Sequence, residues 1–260
     1  MERRAITLEE RKAIQLEMLR EIDSFCRSNS IKYSLAFGTL LGAIRHKGFI
    51  PWDDDVDIMM PLPDLLRFKA SFQSATLRYC DIDTERFFRF PFARVANKTT
   101  YRLEGRHVQS YGVCIDLYTV VTIPNSDELD SFFSKATRLE KRARFIGKWR
   151  SRAVRYLSLR NLPFFRLSVR KLTEFLRYSC RYGESGKYYI IAGPISLHEK
   201  MTYDFDMFDE LIDVDFEDYR FQAISSYDAF LTLRYGDYMT PPPEDQRRPY
   251  HGGRFFWKDY

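Results

Sequence analysis

Apolar and polar positions in the first 28 residues alternate with the period of a helix. Four apolar side chains recur at spacings of three and four residues, namely Ile14, Met18, Ile22 and Phe25. This spacing places them on one face of a helix. Thr7 followed by Glu10 fits a capping box. We therefore predict a packing helix over Leu8–Ser28.

Beyond this helix, short alternating segments predict strands, and helical patterns lie between them. The predicted strands cover residues 31–36, 55–59, 92–96, 113–118, 211–216 and 219–224. The predicted helices cover residues 40–46, 64–74 (with Asp64 as N-cap) and 226–235. Such interleaving is typical of an α/β or α+β fold with one sheet layer. The prolines at positions 241–243 are expected to end regular structure and leave an aromatic, basic tail.

A middle segment, residues 126–181, is predicted to be helical, with a break at residues 161–163. Residues 135–181 hold fifteen Lys and Arg against two acidic residues, a net charge of +13, so a total of +5 leaves −8 elsewhere. Three interpretations stay open: a solvated helical face, an anionic membrane or glycan surface, and nucleic acid. Aromatic residues between the arginines favour the membrane or glycan surface, and we expect no nucleic-acid partner.

Length and composition suit a folded protein of one elaborated domain or two closely packed ones. The chain has 260 residues, of which 45% are hydrophobic and 30% charged. No stretch reaches the roughly 20 apolar residues of a membrane span, and the N-terminus lacks the apolar core of a signal peptide. Four dispersed cysteines indicate reduced thiols rather than a zinc site or disulfides. We expect a cytoplasmic protein, with peripheral contact to the inner face of the membrane.

The densest chemical signal is the run Asp53-Asp54-Asp55-Val56-Asp57. On a strand, Asp53, Asp55 and Asp57 would share one face, and Asp54 would point away in a structural role. Three carboxylates on one face of a strand repel each other unless a cation lies between them. Oxygen ligands of this kind select Mg²⁺ or Mn²⁺. A solvated acidic turn is the competing interpretation. The apolar residues on both sides of the run favour the metal site.

A second signal precedes the acidic run. Gly38 and Thr39 lie between a predicted strand and a short helix, where free backbone N–H groups can hold a phosphate. The order of strand, Gly-Thr, short helix and Asp-x-Asp strand resembles the nucleotidyltransferase core. In that core a third carboxylate from a later strand completes the site, and Asp116 in the segment VCIDLY is the candidate here.

Longer blocks of the sequence resemble one family. The stretch SLAFGTLLGAIRHKGFIPWDDDVDIMM (residues 34–60), the segment CIDLY and the segment YGDYMTPPP (residues 235–243) closely resemble the LicD family of phosphocholine transferases, which includes the fukutin-type transferases. The resemblance implies a nucleotidyltransferase-like mixed sheet with flanking helices. Residues 126–200 match no family block and are interpreted as a basic helical insertion. We divide the chain into a core (residues 1–125), this insertion (126–200) and a C-terminal part (201–260).

The resemblance also implies an activity. A member would move a phosphoalcohol such as phosphocholine from a CDP-linked donor to a hydroxyl of a cell-envelope glycan, such as lipopolysaccharide, teichoic acid or a lipid-linked glycan, and release CMP. Asp55 and Asp57 would hold Mg²⁺ on the donor phosphates. Asp116 would complete the metal site or accept the proton of the acceptor, with Asp53 as a reserve ligand.

Cationic side chains near these carboxylates are candidates for phosphate binding. Arg45, His46 and Lys47 follow the short helix, and Arg94 precedes the strand of Asp116. His251, beyond the prolines, is a candidate to close over the site from the tail. Two alternatives remain. One is a nucleotidyltransferase that moves NMP from an NTP to a small acceptor, and the other is a non-catalytic glycan- or membrane-binding protein.

Overall fold

The structure is a computed structural model that describes most of the chain. The described residues are 4–85, 88, 90–104, 107–109, 111–123, 129–153, 167, 170–171, 173–175, 187–191, 201–204, 206–248 and 254–258. His251 and the predicted helix break at residues 161–163 lie outside these ranges. The chain divides into two compact units, described separately below. The first comprises Met1–Tyr79, Arg94–Leu117 and Met207–Tyr260, and the second comprises Cys80–Ala93 and Tyr118–Asp206.

The first unit begins with strand β1 (Ala5–Ile6) and helix α1 (Leu8–Ser28). The Thr7 side chain accepts a hydrogen bond from the Glu10 backbone N–H at 3.1 Å, and the Glu10 side chain accepts one from the Thr7 N–H at 3.0 Å. The predicted capping box and helix are therefore confirmed. On the predicted apolar face, Met18 and Ile22 are buried, while Ile14 and Phe25 are half-buried; Leu19 is buried as well.

The acidic segment (residues 53–57) lies between short strands and helices of the first unit. Strand β2 (Ser34–Leu35) leads into helix α2 (Phe37–His46), and strand β3 (Asp57–Pro61) leads into helix α3 (Leu62–Ser71). β2 and β3 pair antiparallel, with Ser34 opposite Met59. Asp64 lies in the first turn of α3 rather than at its N-cap, and its Oδ1 accepts a hydrogen bond from the Lys32 N–H at 3.1 Å.

Three more strands extend this sheet. β4 (Leu77–Cys80) pairs with β5 (Ala93–Asn97), and β5 pairs with β8 (Cys114–Ile123), which also lies beside β3. The strands expected at residues 92–96 and 113–118 are confirmed, although β8 is longer than predicted. The predicted α+β class, a mixed sheet with helices, is also confirmed. The sheet places Asp116 of β8 next to the acidic segment, because the Asp116 N–H donates to the Val56 carbonyl at 3.0 Å.

A second, four-stranded sheet corrects the expectation of an irregular tail. β6 (Thr100–Glu104) and β7 (His107–Gln109) pair antiparallel, and residues Arg254–Trp257 form a further strand, β13. The strand order is β1-β13-β6-β7. The triple proline does interrupt regular structure, but the aromatic residues Phe255 and Phe256 of the tail then bury themselves as a strand that pairs with both β1 and β6.

The second unit contains helix α4 (Leu129–Ala153) and strands β9 (Lys187–Ile191) and β10 (Thr202–Tyr203). The C-terminal part of β8, from Thr119, pairs antiparallel with β9, and β9 pairs antiparallel with β10. The helical interpretation of residues 126–181 is confirmed for α4. β9 and β10 were not predicted.

The remaining elements of the first unit follow the sequence pattern closely. β11 (Leu211–Phe216) and β12 (Tyr219–Ile224) form the predicted antiparallel hairpin, and helix α5 (Tyr227–Tyr235) ends at Gly236, as expected. The Ile224 N–H donates to the Ser34 hydroxyl at 3.0 Å, which fastens the hairpin to β2. A short 3₁₀ turn (Glu244–Gln246) lies before β13.

Candidate active site

The acidic segment, defined as residues 53–57, enters β3 later than predicted. Residues 53–56 have no strand structure, and β3 begins at Asp57. Asp53 and Asp55 therefore do not lie on the strand. The prediction that Asp53, Asp55 and Asp57 share one face of a strand was wrong. The reason is local, because the turn at residues 51–52 delays entry into the sheet until after the carboxylates have passed.

The carboxylates nevertheless converge. One oxygen each from Asp53, Asp54 and Asp55 lies within 4.8 Å of the others. Burial, followed by the charge of Asp55, raises the pKa of Asp53 to about 7. Negative groups packed this closely disfavour each other's ionisation, and a bound cation relieves that repulsion. Oxygen donors at this spacing have the chemistry that hard divalent ions prefer, so the residues present fit Mg²⁺ or Mn²⁺.

One of these three carboxylates is already engaged by a cation of the protein. Arg11 of α1 contacts Asp54 at 2.7 Å, and their side chains are only 8% and 1% exposed. The Arg11 guanidinium also lies 4.8 Å from the centroid of the Phe255 ring in β13. Asp54 is thus held by α1, in agreement with the structural role expected for it, while Asp53 and Asp55 are the half-exposed members of the cluster.

The N-terminal turn of α2 lies against the acidic segment. The Thr39 hydroxyl accepts a hydrogen bond from the Asp57 N–H at 2.9 Å, so Thr39 positions the start of β3. A Cβ atom on Gly38 would lie 2.6 Å from Oδ2 of Asp53, so only glycine lets the helix approach this carboxylate. Gly38 and Thr39 were expected to bind phosphate, and the contacts in the structure are to the acidic segment itself.

Two glycines of α2 provide a matched prediction. We expect Gly38→Ala to lower the metal affinity and activity of this site about 10- to 100-fold with little loss of stability, because the new methyl group displaces the Asp53 side chain. At Gly42 a Cβ would lie 2.4 Å from the Gly48 carbonyl oxygen, which is backbone and cannot easily move. Gly42→Ala should therefore lower the free energy of unfolding by about 1–3 kcal/mol. Urea unfolding and initial rates of both variants test this, and equal effects of both on stability would contradict it.

Asp116 and Arg94, two further predicted site residues, form a buried ion pair. Arg94 Nε lies 2.6 Å from Asp116 Oδ1, and Nη2 donates to Oδ2 at 2.9 Å. Burial is the largest single influence and lowers the pKa of Arg94, but the charge of Asp116, the hydrogen bond to it and the nearby Cys114 and Tyr111 together outweigh burial, so the pKa is raised. The structure thus brings the two residues together in one fork-like contact beside Val56, where Arg94 binds a carboxylate rather than standing open for a phosphate.

The three residues at the end of α2 have different surroundings. Arg45 Nη1 donates to the Tyr238 carbonyl at 2.6 Å, and Arg45 Nε donates to His46 Nε2 at 2.9 Å. Lys47 is exposed and adopts a left-handed conformation (φ 59°) that ends the helix. Arg45 therefore lies against the YGDYM segment, His46 lies beside Arg45, and Lys47 points to solvent.

Sequence reasoning missed several residues that support the site. Arg11 lies on a helix interpreted only as a packing element. The Glu217 side chain accepts a hydrogen bond from the Phe49 N–H at 2.9 Å, and its own N–H donates to the Lys47 carbonyl at 2.7 Å, which fixes the turn before the acidic segment. The Tyr235 phenol has a raised pKa, chiefly through desolvation, with further contributions from the Asp57 and Asp53 charges. Its position in the YGDYM block was the available signal.

The fold and site combine a mixed sheet with carboxylates that meet beside a short glycine-containing helix. A family profile described as "LicD/FKTN/FKRP, nucleotidyltransferase domain" matches residues 30–171, and the chain belongs to this family. The match covers the acidic segment and Asp116. Arg11 and the residues after position 171 lie outside it.

The chain is also similar to individual proteins. The chain is 28% identical over 261 residues to the lipopolysaccharide cholinephosphotransferase LicD of Haemophilus influenzae, covering 95% of this chain and 96% of that protein. An uncharacterized protein of Rickettsia typhi is 41% identical over 63 residues, which is 24% of this chain and 20% of that protein. Among the residues that the structure describes, no helix is both long and apolar enough to cross a bilayer.

Proposed function

We propose that this protein transfers phosphocholine from CDP-choline to a hydroxyl of a lipopolysaccharide-type glycan, with Mg²⁺ or Mn²⁺ as cofactor and CMP as the second product. The observation that carries the proposal is the convergence of Asp53, Asp54 and Asp55 in a chain similar over 95% of its length to a lipopolysaccharide cholinephosphotransferase. Phosphoryl transfer needs charge neutralisation and in-line positioning more than covalent help from the protein, and the described side chains are suited to both.

Some of the carboxylates are proposed to bind the divalent ion, and neighbouring residues position these ligands. Asp53, Asp55 and Asp57 are the proposed ligands of the divalent ion, which when bound neutralises the donor phosphates and stabilises the departing CMP. Arg11 keeps Asp54 out of this set. Thr39 fixes the Asp57 backbone, and Gly38 leaves room for the Asp53 carboxylate. The ligand positions thus depend on contacts from α1 and α2.

Asp116 has two proposed roles, as a further ligand or as the acceptor of the proton from the attacking hydroxyl. Both of its oxygens contact Arg94 in the structure. Each carboxylate oxygen keeps a second lone pair, so Asp116 can take either role while its contacts with Arg94 keep the carboxylate oriented. Arg94 acts in this proposal as the residue that positions Asp116.

A second candidate function follows from the match of residues 30–171 to a nucleotidyltransferase domain family. In this case an NTP would be the donor, NMP would move to the acceptor, and pyrophosphate would leave. The same carboxylates would serve both reactions. The identity of the donor therefore separates the two candidates.

Contact of residues 135–181 with an anionic membrane stays a prediction.

Ligand-dependent thermal stability tests the donor directly, because a ligand that binds only the folded state raises the melting temperature. CDP-choline, CDP-ribitol, CDP-glycerol, CTP and ATP are compared, each with Mg²⁺ and with EDTA. We expect CDP-choline to give the largest Mg²⁺-dependent increase in melting temperature. At a hundredfold excess over its dissociation constant, it should stabilise the folded protein by about 2.7 kcal/mol. A larger increase with CTP or ATP than with any CDP-alcohol would contradict the proposal and favour the nucleotidyltransferase.

A further inference from the structure

Four side chains in the first unit meet next to the acidic segment. Arg45 and His46 belong to the last turn of α2, Trp52 immediately precedes Asp53, and Arg247 follows the 3₁₀ turn near the C-terminus. We call Arg45, His46, Trp52 and Arg247 the cationic cluster. Its members come from three separate parts of the chain, so their meeting is a property of the fold.

Trp52 links the members of the cluster. The Arg247 guanidinium carbon lies 5.3 Å from the centroid of the Trp52 ring, and the His46 ring approaches the same indole edge-on at a centroid distance of 6.2 Å. His46 Nε2 accepts a hydrogen bond from Arg45 Nε at 2.9 Å. A neutral imidazole that accepts at Nε2 carries its proton on Nδ1, so His46 adds a further donor to the cluster.

Backbone carbonyls hold both guanidinium groups in place. Arg45 Nη1 donates to the Tyr238 carbonyl at 2.6 Å, and Arg247 Nε donates to the Pro242 carbonyl at 2.9 Å. These partners orient the guanidinium groups without neutralising them. Within the described ranges, the carboxylate that approaches the pair is that of Glu244, 3.9 Å from Arg247 and 91% exposed. At this distance and exposure it contributes little compensation.

Two cations held together in this way repel each other. Burial, followed by the charge of Arg247, lowers the pKa of Arg45. The Arg247 side chain is 34% exposed, so water screens the repulsion only in part. An anion that accepts hydrogen bonds from both guanidinium groups would relieve the repulsion, and guanidinium geometry suits phosphate oxygens.

The location of the cluster relates it to the reaction. Trp52 is bonded directly to Asp53, so one member of the cationic cluster is the chain neighbour of the first carboxylate proposed to hold the divalent ion. A diphosphate donor has several non-bridging oxygens on its two phosphate groups, and a bound divalent ion would coordinate only some of them, which leaves the other oxygens free to accept hydrogen bonds from the protein. A neighbouring pair of arginines can donate these hydrogen bonds.

We propose that Arg45, His46 and Arg247 form a subsite for one phosphate group of the donor, with Trp52 as the surface that fixes Arg247. This inference rests on the proposed function and adds Arg247 and Trp52 to the binding site. Two sources of the phosphate share the same chemistry, namely the nucleotide half of the donor and the phosphocholine half. CMP and phosphocholine are the probes that distinguish them.

Isothermal titration calorimetry of CMP and phosphocholine in the presence of Mg²⁺ tests the subsite. We expect Arg247→Gln to weaken the binding of one of the two probes about tenfold, the size of effect typical of a lost charge-assisted hydrogen bond. The neighbouring Arg248 is exposed and serves as the matched control, since Arg248→Gln removes the same charge and should change affinity less than twofold. Arg45→Gln is a second variant on the opposite side of the cluster, and circular dichroism checks the fold of each.

The possible results of these titrations distinguish a failure of the subsite from a failure of the proposed function. Loss of CMP affinity in both cluster variants supports a nucleotide-side subsite, and loss of phosphocholine affinity supports one for the transferred group. Unchanged affinities, or an equal loss in Arg248→Gln, would overturn the subsite while CDP-choline still stabilises the wild-type protein. Absence of binding of CMP, phosphocholine and CDP-choline to the wild-type protein would overturn the subsite and the proposed function together.

Discussion

Asp55→Asn is expected to lower the rate of phosphocholine transfer about 10³-fold while the protein stays folded. The substitution keeps the size of the side chain but removes one negative charge from the half-exposed part of the acidic cluster. A metal ion supplies several kcal/mol of transition-state stabilisation, and each 1.36 kcal/mol corresponds to a factor of ten in rate. Initial rates of CMP release at saturating donor measure the effect.

A control variant and a Mn²⁺ titration show whether the loss of rate is specific to Asp55. Asp245→Asn removes an exposed carboxylate from the 3₁₀ turn and should leave the rate unchanged within twofold. Electron paramagnetic resonance of Mn²⁺ titrated into the protein should show weaker binding in Asp55→Asn than in the wild-type protein, independently of turnover. If Asp55→Asn retains both normal Mn²⁺ affinity and at least a tenth of the wild-type rate, Asp55 is not a ligand.

The largest expected effect on stability comes from Arg11→Met. Methionine fills much of the volume of the arginine side chain, but it leaves the Asp54 carboxylate, which is 1% exposed, without the guanidinium that contacts it at 2.7 Å. Removing one partner of a buried ion pair costs about 3–5 kcal/mol, because the remaining charge stays desolvated. Urea unfolding monitored by circular dichroism should show a midpoint at lower urea concentration than for the wild-type protein.

A double variant supplies the control for Arg11→Met. In Arg11→Met/Asp54→Leu neither charge remains, and replacement of a buried ion pair by apolar residues of similar volume is often neutral or stabilising. We therefore expect the double variant to regain most of the lost stability. If the double variant unfolds as easily as Arg11→Met, the cost arises from lost packing against Phe255 rather than from the unpaired charge.

Local sequence signals predicted local structure well. The capping box at Thr7 and Glu10, the hairpin of β11 and β12, and the end of α5 at Gly236 each depend on neighbouring residues, and each is confirmed. The predicted fold class follows from the same interleaving of helices and strands. Short-range hydrogen bonds and turn preferences decide these features, so the sequence contains the information needed.

Features that depend on distant residues were wrong or missed. Arg11, for example, holds Asp54 from a helix 43 positions earlier. The tail strand β13 forms because β1 and β6 offer it two edges. Such contacts are decided by tertiary packing, which a local pattern does not reveal. The pairing of Arg94 with Asp116 belongs to the same class.

The protein is proposed to move phosphocholine from CDP-choline to a glycan. The most direct test incubates it with CDP-choline, Mg²⁺ and lipopolysaccharide lacking phosphocholine, and then measures CMP by chromatography and the modified glycan by mass spectrometry. We predict CMP and phosphocholine-bearing glycan in equal amounts, with both products lost on addition of EDTA. Transfer of a nucleotide to the acceptor with release of pyrophosphate from CTP, and no product from CDP-choline, would contradict the account.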